Sequence, residues 1–250
     1  MLETKHMTTH ANRIGRAGRV IITIDGPAGT GKSTVARQLS EVLGLEFLDT
    51  GAMYRAASAL AIDEELDPDD HELIAERVRE ADMRFDWVAS PPELYAFGAS
   101  ISHRLRDDDV TRTVSAISAI REVRRELVER QRRIGEIHPR LVTEGRDQGS
   151  VVFFDADLKI YLDAHPSVRA KRRAEQLTSE GRSVDLAKLE LEIIERDEQD
   201  SSREVGPLHC PDDAVRVDTS ELNQGQVVEH LAELACERLV EIPADATHES

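Results

Sequence analysis

Cysteine is scarce in this sequence, since Cys210 and Cys236 are the only two thiols among 250 residues. Two thiols cannot build a disulfide framework, and their spacing matches no metal-binding pattern, so the sequence indicates a reducing, cytoplasmic location. Long hydrophobic runs are also missing, because no stretch approaches the ~20 apolar residues that span a bilayer. Residues 1–19 lack the apolar core of a signal peptide. These absences argue against a secreted scaffold and predict no membrane partner.

Positive charge is in the minority, with 32 lysines and arginines against 49 aspartates and glutamates. The formal net charge of −17 repels nucleic acid and argues against a DNA- or RNA-binding function. Residues 104–146 nevertheless contain many arginines and no lysine. Arginine favours planar partners such as phosphate, so this band is either a focused anion site or a solvated helix face with ion pairs. For most of these arginines the ion-paired face is the better interpretation.

Residues 20–34 carry the most specific pattern in the chain, a buried strand followed by a glycine-rich loop and a helix. Residues 20–24 are apolar, and apolar residues recur at helical spacing from Val35 to Leu43. Between them, residues 26–33 fit G-x-x-x-x-G-K-[ST], a loop that cradles a polyphosphate with backbone N–H groups. We expect Lys32 to reach the β and γ phosphates and Ser33 to ligate Mg²⁺. The predicted ATP-binding residues of the loop are Gly26, Pro27, Ala28, Gly29, Thr30, Gly31, Lys32, Ser33 and Thr34.

Strand-like and helical segments alternate along most of the chain, which predicts an α/β fold. The expected architecture is a five-stranded parallel sheet with helices on both faces. A long amphipathic helix is predicted over residues 117–134, reached through a connection at 109–115. The five strands are predicted at residues 20–24, 45–48, 140–143, 159–162 and 214–217.

Two segments interrupt this alternation. Residues 63–110 hold four of the nine aromatic residues, including the single tryptophan. They predict a small antiparallel β insertion with its own core, with strands at 83–87, 93–97 and 101–105. Residues 177–203 are strongly charged and predict a helical lid. We expect a single domain over residues 19–242, with its core at 19–62, 111–176 and 204–242. Residues 1–18 and 243–250 are expected to be disordered tails, and Met7 is an alternative start.

Three charged side chains stand at ends of predicted elements, where an α/β sheet can bind ligands. Arg146 and Asp147 follow a core strand, behind a glycine that permits close backbone approach. This placement favours a functional role over a surface ion pair. Arg55 lies near the start of a helix, where it is either a phosphate ligand or a surface arginine.

Further arginines are placed by helical spacing. Arg124 lies at the edge of a buried helix face and needs an acceptor, which is either a ligand or a buried carboxylate. Arg196, Asp200 and Arg203 share one face of the last lid helix. An ordinary surface ion pair between Arg196 and Asp200 is the alternative there.

Several separated stretches resemble the bacterial type of cytidylate kinase, a family within the nucleoside monophosphate kinases. The resemblance covers about residues 19–240. The sequence departs from the family at Thr50, where serine is also common, and at Phe154, where proline is frequent. The matching stretches are I-D-G-P-A-G-T-G-K-S at 24–33, L-D-T-G-A-M-Y-R at 48–55, E-G-R-D at 144–147, D-A-D-L-K-I-Y-L-D-A at 155–164, Val114-Ser115 with Val123-Arg124, and Glu195 to Asp197 with Asp200 and Arg203.

The resemblance implies a role for each matching residue. An arginine and a carboxylate in the base site would distinguish cytosine from uracil, because a uracil carbonyl would face a second acceptor. The base would be bound by Ser115, Arg124 and Asp147, the acceptor phosphate by Arg55, Arg146 and Arg203, the sugar by Thr50, Arg196 and Asp200, and the donor phosphates by Arg169, Arg172 and Arg173. The implied catalytic residues are Lys32, Arg146, Asp147 and Arg203.

The implied reaction is transfer of the γ-phosphoryl group of ATP to CMP or dCMP, with Mg²⁺ as cofactor. Asp25 or Asp163 would orient water bound to Mg²⁺, and the sequence does not choose between them. One alternative is a kinase of the same fold for UMP, AMP or shikimate. Another is a nucleotide-dependent switch protein, against which the chain lacks a guanine-reading N-K-x-D stretch. The family resemblance implies a monomer.

Overall fold

The central strand β1 (Val20–Asp25) is buried along its whole length, as its apolar sequence predicts. It pairs in parallel with β6 (Arg140–Gly145) on one side and with β7 (Leu158–Asp163) on the other. The outer strands are β2 (Glu46–Asp49), next to β6, and β8 (Val215–Asp218), next to β7. The computed structural model describes residue 14 and residues 18–179 and 181–239, and there the predicted five-stranded parallel sheet is confirmed in the order β2-β6-β1-β7-β8.

Helices cover both faces of this sheet, which confirms the predicted layers. Successive side chains of a strand point to opposite faces, so Ile21 packs on one side of the sheet and Ile22 on the other. Helices α1 (Lys32–Leu43) and α8 (Gln224–Leu239) cover the Ile22 side. Helix α2 (Thr50–Asp63) covers the Ile21 side. Glycine stops the first helix, because Gly44 takes the left-handed conformation, with φ of +64°, that favours this residue.

The segment that follows α2 contains α3 (His71–Glu80) and a three-stranded antiparallel sheet of β3 (Arg84–Asp86), β4 (Glu93–Ala96) and β5 (Ala99–Ser100). The expectation of a third strand at 101–105 is wrong. Phe97 and Gly98 both have positive φ and reverse the chain directly after β4, so the pairing strand begins at Ala99.

The expected separate core of the insertion is also wrong. Leu94 and Ala96 of β4 belong to the same buried cluster as Ile21 of the central strand. Trp87 packs against this cluster and stacks on His138, with ring centroids 4.1 Å apart. The insertion is therefore attached to the main sheet by a shared hydrophobic core.

Two helices precede β6 where the sequence analysis expected a connection and one helix. They are α4 (Asp108–Ile117) and α5 (Arg121–Ile137). The buried residues of α4 are Val110, Val114 and Ile117, which recur every three or four residues and pack in the same cluster as α2. The backbone becomes extended at Ile120, with φ of −67° and ψ of 119°, and this separates the two helices.

The remaining helices are α6 (Pro166–Ser179) and α7 (Leu186–Ser202). The expected lid, residues 177–203, contains the end of α6 and the whole of α7. Ile14, in the expected N-terminal tail, is buried in the cluster on the Ile22 side. Met7 and the expected C-terminal tail lie outside the described residues. In residues 18–179 and 181–239, no helix is long and apolar enough to cross a bilayer.

Candidate active site

The phosphate loop lies between β1 and α1, where the sequence analysis placed it. A Cβ at Gly26 would lie 2.0 Å from the Leu162 carbonyl oxygen, so only glycine fits at this close approach. Lys32 is buried and donates from Nζ to the Pro27 carbonyl oxygen at 2.7 Å. Burial and the nearby Arg146 guanidinium lower the pKa of Lys32 to about 7. An anionic phosphate at this position would favour the charged ammonium.

Ser33 contacts a carboxylate that the sequence analysis did not single out. Its hydroxyl donates to Glu144 Oε1 at 2.9 Å, and burial, with a smaller contribution from Asp49, raises the pKa of Glu144 to about 7. Glu144 stands at the carboxyl end of β6 and is paired in register with Ile24 of β1. The signal available in the sequence was only the place of Glu144 at the end of a predicted strand, because the pairing of β6 with β1 is known from the structure alone.

Neither of the two aspartates expected near Mg²⁺ contacts Ser33. Asp25 accepts hydrogen bonds from the backbone N–H groups of Gln148 and Gly149. Asp163 forms an ion pair with Arg216 and accepts a hydrogen bond from its neighbour's backbone. Glu144 is thus the carboxylate that the fold brings to the serine of the loop.

Arg124 and Asp147 form a buried ion pair, and each side chain is 3% exposed. Arg124 also donates to the Ser118 carbonyl oxygen at 3.2 Å and lies over the ring of Tyr54, 5.4 Å from its centroid. The carboxylate partner that the sequence left open is therefore Asp147. Burial raises the pKa of Asp147, while Arg124 opposes the shift. Gly206 covers the pair so closely that a Cβ there would lie 2.1 Å from Arg124 Nη2.

Ser115 and Thr50 lie near this centre in different ways. Ser115 is a half-buried residue of α4, and its carbonyl oxygen accepts a hydrogen bond from Ser118. The Thr50 hydroxyl is buried and donates to the Glu144 carbonyl oxygen at 2.7 Å. Thr50 therefore fixes the end of β6 against the start of α2.

Four guanidinium side chains lie close to one another, three of them around Asp200, and we call them the arginine cluster: Arg55, Arg146, Arg196 and Arg203. Asp200 accepts from Arg146 Nε at 2.8 Å and pairs with Arg203. Arg196 has a buried Nε without a hydrogen-bond partner in the described part of the chain. Burial first, and then the positive charges of Arg146, Arg55 and Arg203, lower the pKa of Arg196 to about 10. In the described part of the chain, two carboxylates form ion pairs with this cluster: Asp200, and Asp49, which pairs with Arg55 at 3.0 Å.

The three arginines of α6 are not brought together around the loop. Arg169 is 3% exposed and contacts the backbone of the loop, because it donates to the Ala28 carbonyl oxygen at 2.9 Å. It also pairs with Asp197 at 2.6 Å. Arg172 donates instead to carbonyl oxygens of Thr219 and Leu222. The third, Arg173, pairs with a glutamine of its own helix.

Asp197 is a second residue whose role the sequence analysis missed. Besides pairing with Arg169, its Oδ1 accepts from the Ala28 N–H of the phosphate loop at 3.3 Å. Helix α7 thus contacts the phosphate loop through Asp197 and the arginine cluster through Arg196 and Asp200. The arrangement can hold two anionic groups close together, one at the loop and one at the cluster, beneath a single helix.

Comparison of the sequence with known proteins identifies one family. The family model described as Cytidylate kinase matches residues 22–237. A cytidylate kinase of Mycobacterium leprae is 42% identical over 219 residues, covering 88% of this chain and 96% of that protein. One of Corynebacterium efficiens is 42% identical over 217 residues, covering 87% and 94%. A bifunctional pantoate ligase/cytidylate kinase of Synechococcus elongatus is 45% identical over 228 residues, covering 88% of this chain and 42% of that protein.

Proposed function

This chain belongs to the cytidylate kinase family, and from that premise we propose that its site transfers the γ-phosphoryl group of ATP to CMP or dCMP. The observation that carries the proposal is the arginine cluster beside the phosphate loop, in which four guanidinium groups share the paired carboxylates of Asp49 and Asp200. Among the described residues the buried Nε of Arg196 has no hydrogen-bond partner, and burial, followed by the neighbouring guanidinium groups, lowers the pKa of Arg196 to about 10. A buried group of this kind needs an anion. A nucleotide-dependent switch would have no use for a second anion site next to the loop.

The acceptor monophosphate binds with its phosphate in the arginine cluster and its base at the Arg124–Asp147 pair. Arg146 and Arg203 can donate to phosphate oxygens, while Asp200 holds both guanidinium groups in place. Arg55 and Arg196 add positive charge to the same site, and Arg196 and Asp200 also lie where they can contact the sugar together with Thr50. Only glycine fits at position 206, because the backbone there lies directly against the base-reading pair.

Cytosine is read by complementary hydrogen bonds. The Asp147 carboxylate can accept from the exocyclic amine, and Arg124 can donate to the ring carbonyl and nitrogen. Ser115 completes this part of the site. Uracil would place a carbonyl oxygen against Asp147, so the pair disfavours UMP. This argument favours CMP and dCMP over the other acceptors that a kinase of this fold could use.

Phosphoryl transfer here depends on position and charge. The acceptor phosphate is already anionic, so the reaction needs no strong general base. Lys32 leaves its contact with the Pro27 carbonyl oxygen and contacts the β and γ phosphates, and Arg146 lies between the two anions. These groups stabilise the charge that spreads over the transferred phosphoryl group. Helix α7 closes over both substrates and excludes water.

The Ser33 hydroxyl and the Glu144 carboxylate fit Mg²⁺, because they place two hard oxygen donors 2.9 Å apart at the end of the loop. Burial raises the pKa of Glu144 to about 7, and a cation beside it would keep it ionised. Held there, Mg²⁺ would neutralise part of the negative charge of the ATP phosphates. We assign the carboxylate role to Glu144 instead of Asp25 or Asp163. We further propose that the chain acts as a cytoplasmic monomer, with residues 63–110 on the acceptor side and residues 177–203 as the lid.

The test is an ADP-release assay with MgATP against CMP, dCMP, UMP, AMP and GMP in parallel. Turnover with CMP and dCMP, and little with UMP, is expected. Preference for UMP or AMP would overturn the assignment of the base-reading pair. Slow hydrolysis of ATP without use of any acceptor would favour a switch protein.

Replacement of one cluster residue separates acceptor binding from donor binding. Arg146→Ala should lower kcat/KM for CMP by about a hundredfold to a thousandfold, the typical effect of removing one preorganised donor to the reacting group. ATP affinity, measured by calorimetry, should stay within about threefold, because the loop is intact. Arg133→Ala, at an arginine that is 71% exposed and paired with Glu129, is the matched control. Unchanged CMP kinetics in Arg146→Ala would contradict the assignment.

A further inference from the structure

Asp25 joins the two halves of the proposed site. It is the last residue of β1, directly before Gly26 of the phosphate loop, and it is buried. Its two carboxylate oxygens accept from the backbone N–H groups of Gln148 at 2.8 Å and Gly149 at 2.7 Å. These residues belong to the turn that follows Arg146 and Asp147. A single side chain thus links the donor loop to the segment that presents the acceptor-binding residues.

The turn has an irregular backbone that needs such support. It is a single π-helical turn, Gln148–Val152, preceded by Asp147 with φ of −142° and ψ of 26°. Regular elements do not use this conformation, so the direction of the Asp147 side chain depends on external contacts. The carboxylate of Asp25 fixes the two peptide groups that follow Asp147. Gly149 has no space for a side chain, since a Cβ would lie 2.8 Å from Thr23 Oγ1.

A second contact holds the same turn from the side. The Thr143 hydroxyl donates to Gln148 Oε1 at 3.0 Å, and Gln148 Nε2 donates to Gln131 Oε1 at 3.1 Å. These contacts are buried and do not involve Asp25. They provide an independent way to loosen the turn without touching the phosphate loop.

We propose that Asp25 is a positioning residue for acceptor binding, which aims Arg146 and Asp147 at CMP by fixing the turn that follows them. This inference rests on the proposed function. It assigns Asp25 to the acceptor side although the residue adjoins the donor loop. The competing role, orientation of Mg²⁺-bound water, would instead link Asp25 to the metal and ATP.

The two roles predict opposite kinetic effects for Asp25→Asn. Asparagine keeps one acceptor oxygen and places an amide N–H₂ against the other backbone N–H, so the turn loses one hydrogen bond and gains a repulsion. We expect the KM for CMP to rise about tenfold to a hundredfold, the scale on which misplaced binding groups act. The KM for MgATP and the Mg²⁺ concentration for half-maximal rate should stay within about twofold of the native values. Glu144→Gln should show the reverse, with a raised Mg²⁺ requirement.

Thr143→Val tests the same turn by a change that preserves side-chain shape. It should raise the KM for CMP less than Asp25→Asn does, again with little effect on MgATP. Asp155→Asn, at an exposed carboxylate paired with Arg19, is the matched control and should have native kinetics. The melting temperature of each variant establishes whether it is folded at the assay temperature. If Asp25→Asn is not folded there, the KM values of Thr143→Val for CMP and MgATP decide whether the turn positions the acceptor.

The inference would be overturned if Asp25→Asn changed the Mg²⁺ requirement or the KM for MgATP and left the KM for CMP unchanged. Equal increases in the KM values for CMP and MgATP, or native kinetics in both turn variants, would also overturn it. Failure of the proposed function is recognised separately, because the native protein would then not phosphorylate CMP at all.

Discussion

The buried pair Arg124–Asp147 allows the proposed base selectivity to be tested by one substitution, Asp147→Asn. The native carboxylate can only accept hydrogen bonds, whereas asparagine can accept from a cytosine amine or donate to a uracil carbonyl. Asp147 is 3% exposed on its side chain, so water cannot replace the lost interaction. We expect the variant to lose discrimination between CMP and UMP.

The magnitude follows from two separate changes. With CMP, a charge-assisted hydrogen bond becomes a neutral one, a loss of about 1–2 kcal/mol. With UMP, the opposition of two acceptors is relieved, which recovers about 1–3 kcal/mol. The ratio of kcat/KM for CMP to that for UMP should therefore fall by about 2–5 kcal/mol, or thirtyfold to several thousandfold, at 1.4 kcal/mol for each factor of ten.

The assay is ADP release with both monophosphates at saturating MgATP. Asparagine also leaves the Arg124 charge buried without its partner, a change that costs about 3 kcal/mol and lowers Tm by about 6–12 °C in a chain of this size. The rates are therefore measured well below the melting temperature of the variant, with Asp155→Asn as control. An unchanged ratio of CMP to UMP rates in a folded variant would refute the assigned role of the pair.

Two further predictions concern Gly206 and Asp25. Gly206→Val should raise the KM for CMP at least tenfold and leave the KM for ATP unchanged. The reason is that φ is +62° at this position and a Cβ would lie 2.1 Å from Arg124 Nη2 and 2.6 Å from Asp147 Oδ2. Equal KM values for CMP in the variant and the native protein would contradict this close approach. Burial raises the pKa of Asp25 to about 6, so between about pH 4 and pH 6 the folded chain holds a proton that the unfolded chain has released. The free energy of unfolding, measured with denaturant, should therefore have a contribution that falls as pH rises through this window, and Asp25→Asn should remove it.

The sequence predicted the central sheet well because its signals are local. The β1 strand, the phosphate loop and α1 are contiguous, and each has a pattern that its own residues determine. The two-helix arrangement of α4 and α5 was missed although Val110, Val114 and Ile117 show helical spacing. The break at Ile120 is not marked by proline or glycine, and the two helices that it separates pack on different partners, α4 on α2 and α5 on α3.

The sequence analysis singled out residues for the site without identifying the partners of their side chains. Side chains such as Asp147 and Asp200 were singled out, yet the sequence could not say which arginines they contact. Glu144 was not singled out, and the contacts of Asp25 were not foreseen, for a related reason. Glu144 contacts Ser33 and Asp25 contacts Gln148, which are 111 and 123 residues away in the chain. Such contacts follow from the strand order of the sheet, and a single sequence does not state that order.

The buried Nε of Arg196, which has no hydrogen-bond partner among the described residues, also has a consequence for the persistence of the folded chain. Buried like charges destabilise the fold, and under the proposed function the charge of a bound monophosphate offsets them. A ligand that binds only the folded form adds RT ln(1 + [L]/Kd), about 2.7 kcal/mol at a hundredfold excess over Kd. Under the proposed function, the unliganded chain is the form most exposed to unfolding and proteolysis. Its lifetime in a cell therefore depends on the pool of pyrimidine nucleotides as well as on its own packing.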